Sequence, residues 1–205
     1  MYEKYYKRFL DFMLAFFGIL ILSPVMILLI ILLAIANRGK IFFSQERIGR
    51  REKVFRIFKF RSMNDRTDAN GKLLPGRERT TNIGQFIRAT SLDELPQLIH
   101  VLKGEMSLIG PRPLLPEYLP FYTEREKKRH TVRPGMTGLA QISGRNVIGW
   151  DVKLELDARY VENISFLGDV KILWSTIVKV IKREGAIADK IENYLDVERE
   201  KIGKL

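Results

Sequence analysis

Two adjacent carboxylates, Asp93 and Glu94, lie in the stretch Thr90-Ser91-Leu92-Asp93-Glu94-Leu95-Pro96-Gln97-Leu98 of a chain whose formal charge is +11. Ser91 and Glu94 fit the S-x-x-E capping box, and Leu92, Leu95, Leu98, Ile99 and Leu102 follow at helical spacing. Pro96 is tolerated only in a first turn, so a second possible start makes Asp93 itself the cap. Either start sets both acids at the positive end of a helix dipole, which favours their ionised forms. An ionised aspartate beside basic groups can be a metal ligand, a nucleophile or simply a helix cap. The stretch by itself favours the cap.

The surroundings change that balance. Arg88 precedes Asp93 by five residues, and Gly110-Pro111-Arg112-Pro113 follows the helix. Two prolines restrict the backbone around Arg112, and a rigidly held arginine suits bidentate recognition of phosphate. Arg133-Pro134-Gly135-Met136-Thr137-Gly138 then runs on to Gly144-Arg145-Asn146, where glycines can bring backbone N–H groups close to an anion. Upstream, Lys59 and Arg61 continue the strand row of Phe55 and Ile57 and are placed to point into a site. Asp65 and Asp68 lack the spacing and the terminal glutamate of an EF-hand.

Composition narrows the classes of function. At 205 residues the chain holds one ordinary domain with room for a membrane element, and its positive charge predicts an anionic partner. Zero cysteines exclude disulfides, thiolate metal sites and cysteine nucleophiles, and two histidines, His100 and His130, do not make a multi-histidine zinc site. His100 falls within the helical pattern and reads as a packed or surface residue.

The elements that must position these groups begin in the membrane. Phe12 to Ala36 are 25 consecutive uncharged residues, and about 20 helical residues cross a bilayer core. The run is too long for the apolar region of a signal peptide. Lys4, Lys7 and Arg8 flank it on one side and Arg38, Lys40, Arg47, Arg50 and Arg51 on the other, so the positive-inside rule draws both ends to the cytoplasm. Ser23-Pro24 stands at the midpoint. Proline cannot donate to the carbonyl four residues back, and the Ser23 hydroxyl is placed to satisfy a carbonyl so freed. Symmetric charge and a central break predict a re-entrant helix that enters and leaves on one face.

Beyond it, Lys40–Gln45 and Val54–Met63 read as a β-hairpin, with Val54, Arg56, Phe58 and Phe60 on one face. Nine Lys or Arg against two acids between Asn37 and Arg61 make it basic, suited to anionic headgroups. Asn64 to Arg79 reads as a loop. Pro113, Pro116 and Pro120 predict an extended link, Thr123 to Glu126 a helix start before a basic run, and Trp150 to Asn163 a helix. Phe166 to Arg183 sets Val170, Leu173, Trp174, Ile177, Val178 and Ile181 near one face, the pattern of an interfacial or a core helix. The expected fold is α+β and mostly helical: a re-entrant anchor at 1–39, a catalytic domain with the hairpin at 40–185, and a charged tail at 186–205 to which no chemistry is assigned.

Taken in order, Lys59-Phe60-Arg61-Ser62-Met63, Thr90 to Leu98, Gly110 to Pro113, Arg133 to Gly138 and Leu156-Asp157-Ala158-Arg159-Tyr160-Val161 resemble the bacterial sugar transferases, the monotopic polyprenyl-phosphate phosphoglycosyl transferases. The resemblance covers nearly the whole chain and is to the minimal type that works in protein glycosylation. It implies transfer of a sugar phosphate from a UDP-sugar to polyprenyl (undecaprenyl) phosphate with release of UMP, at the cytoplasmic face of the bacterial inner membrane. Asp93 would be the nucleophile that carries a covalent phospho-sugar, with Glu94 assisting in metal binding or proton handling. Mg²⁺ would offset repulsion between Asp93 and the diphosphate. Arg88, Arg112, Lys59 and Arg145 would hold phosphate oxygens, and Asp157 would be a supporting carboxylate or a cap. The implied sugar is a diacetamido one, as in UDP-N,N'-diacetylbacillosamine. A non-catalytic lipid-binding scaffold would leave Asp93, Glu94 and Arg112 without a purpose, and a nucleic-acid binder has no motif here and a membrane segment against it.

Overall fold

The computed structural model describes residues 1–144, 148–182 and 194–202. A π-helical turn, Tyr2–Tyr6, leads into helix α1, Lys7–Ala36. At about 1.5 Å per residue α1 is about 45 Å long. It is apolar and long enough to cross a membrane, and Leu20, Ile21, Ile27, Ile31 and Ile35 are exposed along it. The expected break at Ser23-Pro24 is not a gap between two helices, because α1 runs continuously through Pro24. Pro24 has no N–H for the Leu20 carbonyl, and the Ser23 hydroxyl donates to that carbonyl at 2.8 Å instead.

The opposite side of α1 packs on the rest of the chain. Ala15 joins Ile57, Leu98, Val101 and Met106 in one core cluster, while Leu29 and Leu33 join Phe60 and Ile87 in another. Its ends are tied by polar contacts. Lys7 pairs with the buried Asp169 at 2.6 Å, Asp11 accepts from the Ser107 hydroxyl at 2.6 Å, and Arg8 donates to the carbonyls of Val101 and Leu102. Just beyond the C-terminus of α1, Asn37 donates to the carbonyl of Arg61 at 3.1 Å.

Strands β1, Phe42–Ile48, and β2, Val54–Phe60, pair antiparallel from Phe42↔Phe60 to Ile48↔Val54. Their Phe and Ile content suits a pleated, half-buried surface. Simple alternation fails at the end of β2. Ile57 and Phe60 are both buried, because α1 and the helix that carries Ile87 close over the second face there. Helices α2, Gly76–Arg79, and α3, Asn82–Ala89, follow, the latter capped by Thr81 accepting from the Gly84 N–H at 3.0 Å. Helix α4, Leu98–Lys103, ends on Gly104 at φ 84°. The buried His100 accepts from the Phe58 N–H through Nε2 and contacts Glu105 through Nδ1 at 2.6 Å. It is a packed strut between β2 and α4, the buried one of the two places its helical spacing left open.

A second, parallel pair was not legible in the sequence: β3, Ser107–Ile109, runs beside β4, Gly135–Thr137. The glycines serve this pairing. The Gly135 N–H is spent on the Pro111 carbonyl at 2.8 Å and the Gly110 N–H on that of Thr137 at 2.9 Å, so neither cradles an anion. A Cβ on Gly135 would collide with Gly110 N and Thr137 O. Gly135→Ala is therefore expected to cost more than ~2 kcal/mol of stability, read as a fall in melting temperature in detergent.

The link after Pro113 is not extended throughout. Pro116–Phe121 forms a 3₁₀ helix, since Pro116 sits in its first turn where no N–H is needed. Helix α5, Glu124–Lys127, has the full capping box of Thr123 and Glu126, and a 3₁₀ turn Lys128–Thr131 continues it. Helices α6, Leu139–Ser143, α7, Trp150–Glu162, and α8, Phe166–Lys182, complete the body. On α8, Leu167, Val170, Trp174, Ile177 and Ile181 are exposed while Asp169 and Ile172 are buried. That is an outward-facing apolar stripe, so α8 packs on the body with one face and leaves the other uncovered. Helix α9, Leu195–Ile202, lies in the stretch expected as a tail. Leu195 is fully buried against Tyr118, Trp150 and Leu154, and Arg199 bridges Glu126 and Asp151 at 2.7 and 2.6 Å.

Candidate active site

Asp93 does not cap a helix. Ser91 takes a left-handed conformation at φ 56° and makes no side-chain capping bond, so the capping box does not form. Leu92–Gln97 is instead a 3₁₀ helix with Asp93 as its second residue, and α-geometry begins only at Leu98. The 3₁₀ helix accommodates Pro96 in its last turn, two residues before α4 begins. Positive φ at a non-glycine residue costs on the order of 1 kcal/mol and tends to mark functional sites. Here it reverses the chain after α3 and delivers Asp93 to a cavity.

That cavity has a volume of about 420 Å³, and its walls include Lys59, Arg88, Asp93, Glu94, Arg112 and Asp157. Strand β2 supplies Lys59, the last turn of α3 supplies Arg88, the loop after β3 supplies Arg112, and α7 supplies Asp157. Six of the residues singled out in the sequence, from segments between positions 59 and 157, thus converge on one space. Arg112 reaches Glu94 at 3.3 Å with half its own side chain exposed. Asp93 is only 7% exposed. Burial, and then the adjacent Glu94 charge, push its carboxyl up to about 6, against the opposing pull of Lys59, Arg88 and Arg112. Burial lowers the Lys59 ammonium, with Asp93 and Glu94 working the other way. A desolvated carboxylate facing three cations can attack an anionic electrophile whose charge those cations offset.

Other expected residues stand elsewhere. Arg61 donates to the Met63 carbonyl and pairs with Asp65, and Arg133 donates to the Gly104 carbonyl at 2.8 Å. Neither is on the cavity wall. Arg145 lies outside the described residues. Sequence reasoning missed Arg129, Thr137 and Gln141, which line the cavity. Arg129 looked like one member of the basic run 127–130. The 3₁₀ turn after α5 directs it inward, where it pairs with the buried Asp157 at 2.8 Å. Burial raises the Asp157 carboxyl, and the Arg129 charge opposes this.

No group of three or more His, Asp or Glu side chains placed to hold a metal occurs among the described residues. Of the three carboxylates on the cavity wall, Asp157 is taken up by Arg129, and Asp93 and Glu94 stand side by side facing the open space. Two carboxylates completed by phosphate oxygens and water fit Mg²⁺, which is bound in that way at phosphoryl-transfer sites.

The profile of the bacterial sugar transferases matches residues 2–183, and the chain belongs to that family. It is 49% identical over 179 residues to the sugar transferase EpsL of Bacillus subtilis, covering 87% of this chain and 89% of that one. It is 38% identical over 201 residues to the undecaprenyl-phosphate galactose phosphotransferase of Salmonella typhimurium, and 38% over 192 residues to an Aeromonas hydrophila enzyme named for transferring N-acetylgalactosamine phosphate to undecaprenyl phosphate. These two relatives are longer, and the chain spans only 42% and 44% of their length.

Proposed function

We propose that this chain is a membrane-bound phosphoglycosyl transferase that moves a sugar 1-phosphate from a UDP-sugar to polyprenyl phosphate, opening glycoprotein or polysaccharide assembly at the cytoplasmic face of the inner membrane. The observation that carries the proposal is the buried Asp93 carboxylate, faced by Lys59, Arg88 and Arg112 in a cavity beside an apolar helix. An Asp93 oxygen attacks the phosphorus that bears the sugar, its bond to the bridging oxygen breaks, and UMP leaves with the electron pair. A phosphate oxygen of the lipid then attacks the same phosphorus and displaces the Asp93 carboxylate, giving the lipid diphosphate sugar. Lys59, Arg88 and Arg112 hold the diphosphate and stabilise the charge that develops on the leaving phosphate. Mg²⁺, when held by Asp93, Glu94 and phosphate oxygens, supplies further charge neutralisation. The test is UMP release from a panel of UDP-sugars with undecaprenyl phosphate, including galactose, N-acetylgalactosamine and diacetylbacillosamine donors. A panel without any turnover would overturn the proposal.

In metal-free protein the Asp93 carboxyl should titrate near 6 by carbon NMR, and added Mg²⁺ should lower that midpoint by a unit or more, on the order expected for a bound cation. An unmoved midpoint would remove Asp93 from the metal's ligands.

The same reading makes α1 re-entrant. Support comes from its two ends, which bond to one polar body: Lys7 and Arg8 at the start, and Asn37 just past the end. A helix crossing the bilayer would part those ends by the membrane. Cysteine labels at Glu3 and Lys40 are expected to react from the same side in oriented vesicles. The exposed stripe of α8 would lie in the interface, with Trp174 at headgroup level.

A further inference from the structure

The half-exposed side chain of Arg112 is attached to a backbone anchored at two successive carbonyls. Pro111 and Pro113 both lack an N–H, so the segment is anchored through carbonyls. The Pro111 carbonyl accepts from the Gly135 N–H at 2.8 Å. The next one, that of Arg112, accepts from Arg129 Nη2 at 2.6 Å. Arg129 is itself only 2% exposed. Besides the Arg112 carbonyl it holds the Tyr122 hydroxyl at 3.1 Å and Asp157 at 2.8 Å, and its guanidinium lies 5.5 Å from the Tyr122 ring centroid. One planar group thus joins the end of the 116–121 turn, α7 and the proline-flanked loop.

We infer that Arg129 is a positioning residue for the transfer: it fixes the Arg112 backbone so that the Arg112 guanidinium stands over Glu94 and the incoming diphosphate. The inference rests on the proposed reaction and deepens it. Its chemistry needs arginine. The guanidinium fork presents several donors in one plane and stays charged, so it can bind a carbonyl, a hydroxyl and a carboxylate in different directions. A lysine would keep the charge beside Asp157 but would donate from a single point, and the Arg112 carbonyl is the partner it would give up. Arg129 also lines the cavity through the same wall as Asp157, yet both of its Nη groups are spent on protein acceptors and its Nε is buried without a partner among the described residues, so it acts through Arg112.

The test is a double-mutant cycle on donor kinetics together with hydrogen exchange across residues 108–115. Arg129→Lys is expected to raise the KM for the UDP-sugar about tenfold and to change kcat less than about threefold. In an Arg112→Ala background the same substitution should change KM less than about twofold, because the group it positions is gone. Exchange across 108–115 should accelerate in Arg129→Lys protein whether or not the reaction is as proposed. Should lysine not be accommodated, Arg129→Gln with Asp157→Asn keeps the buried pair neutral and is read by the same cycle. Equal KM effects in both backgrounds, or unchanged exchange, would overturn the positioning role. Absent UMP release by the parent protein, with exchange still accelerated, would instead count against the proposed reaction alone.

Discussion

Asp93→Asn is expected to lower UMP release on the order of 10³-fold or more and, at the same time, to make the protein more stable at neutral pH. The loss of activity follows from removing the proposed nucleophile. The gain in stability follows from its environment. Unfolded, the Asp93 carboxyl titrates near its ordinary 3.8; folded, it titrates near 6. The folded state therefore favours the protonated form. Below about pH 4 both states are protonated and the group costs nothing. As pH rises from about 4 to about 6 the folded protein must ionise a buried acid, and stability is lost until the full cost is present above pH 6. At about 1.4 kcal/mol for each pH unit, that cost is about 3 kcal/mol. Asparagine, nearly isosteric and neutral, avoids it. Melting temperatures of parent and variant should therefore coincide near pH 4 and separate by pH 7, with the inactive variant higher. A variant less stable at pH 7 would show that the Asp93 charge is satisfied by its cationic neighbours and is not held under strain.

The second large effect concerns the anchor. Asp169 is buried and accepts from Lys7 at 2.6 Å, from the Tyr2 hydroxyl at 2.8 Å and from the Tyr160 hydroxyl at 2.8 Å. It joins the N-terminal end of α1 to α7 and α8 in one polar knot. Lys7→Met would leave a buried carboxylate without its cation, at a cost of about 3–5 kcal/mol. Lys7→Met combined with Asp169→Leu removes both charges and should recover most of the loss, since an apolar replacement of a whole buried pair is often neutral. Thermal unfolding in nanodiscs reads both, and protease cleavage among the first twenty residues should appear in the single variant and fade in the double one. Full stability of the single variant would mean that the two tyrosine hydroxyls suffice to hold Asp169.

Much of the site could be read from residue types and order. Lys59 was found from strand alternation, Arg112 from its proline flanks, and Arg88 from its distance to the carboxylates. All three face the cavity with Asp93 and Glu94. The local geometry was less legible. The S-x-x-E pattern predicted a capping box, but a left-handed Ser91 and the 3₁₀ turn that accommodates Pro96 prevail. Pattern matching cannot see that choice, because it is made by where α3 and α4 must pack. Arg129 was hidden for the same kind of reason. A basic residue in a basic run is ordinarily solvated, and only the 3₁₀ turn after α5 and the acceptor Asp157 from α7 turn it inward. The glycines of the 135–138 segment suggested an anion cradle. They are required instead by the close approach of β4 to the Gly110 backbone, a contact between segments about twenty-five residues apart that local sequence does not encode. Within the charged C-terminal stretch it is Leu195 whose burial holds α9 against α7.

The covalent step is the core of the account. Purified protein in nanodiscs, given a UDP-sugar and Mg²⁺ but no polyprenyl phosphate, should release about one equivalent of UMP in a burst. Intact-protein and peptide mass spectrometry should then find one sugar phosphate on the peptide that contains Asp93. UMP release that depends strictly on the lipid acceptor, with no adduct on that peptide, would contradict the two-step mechanism.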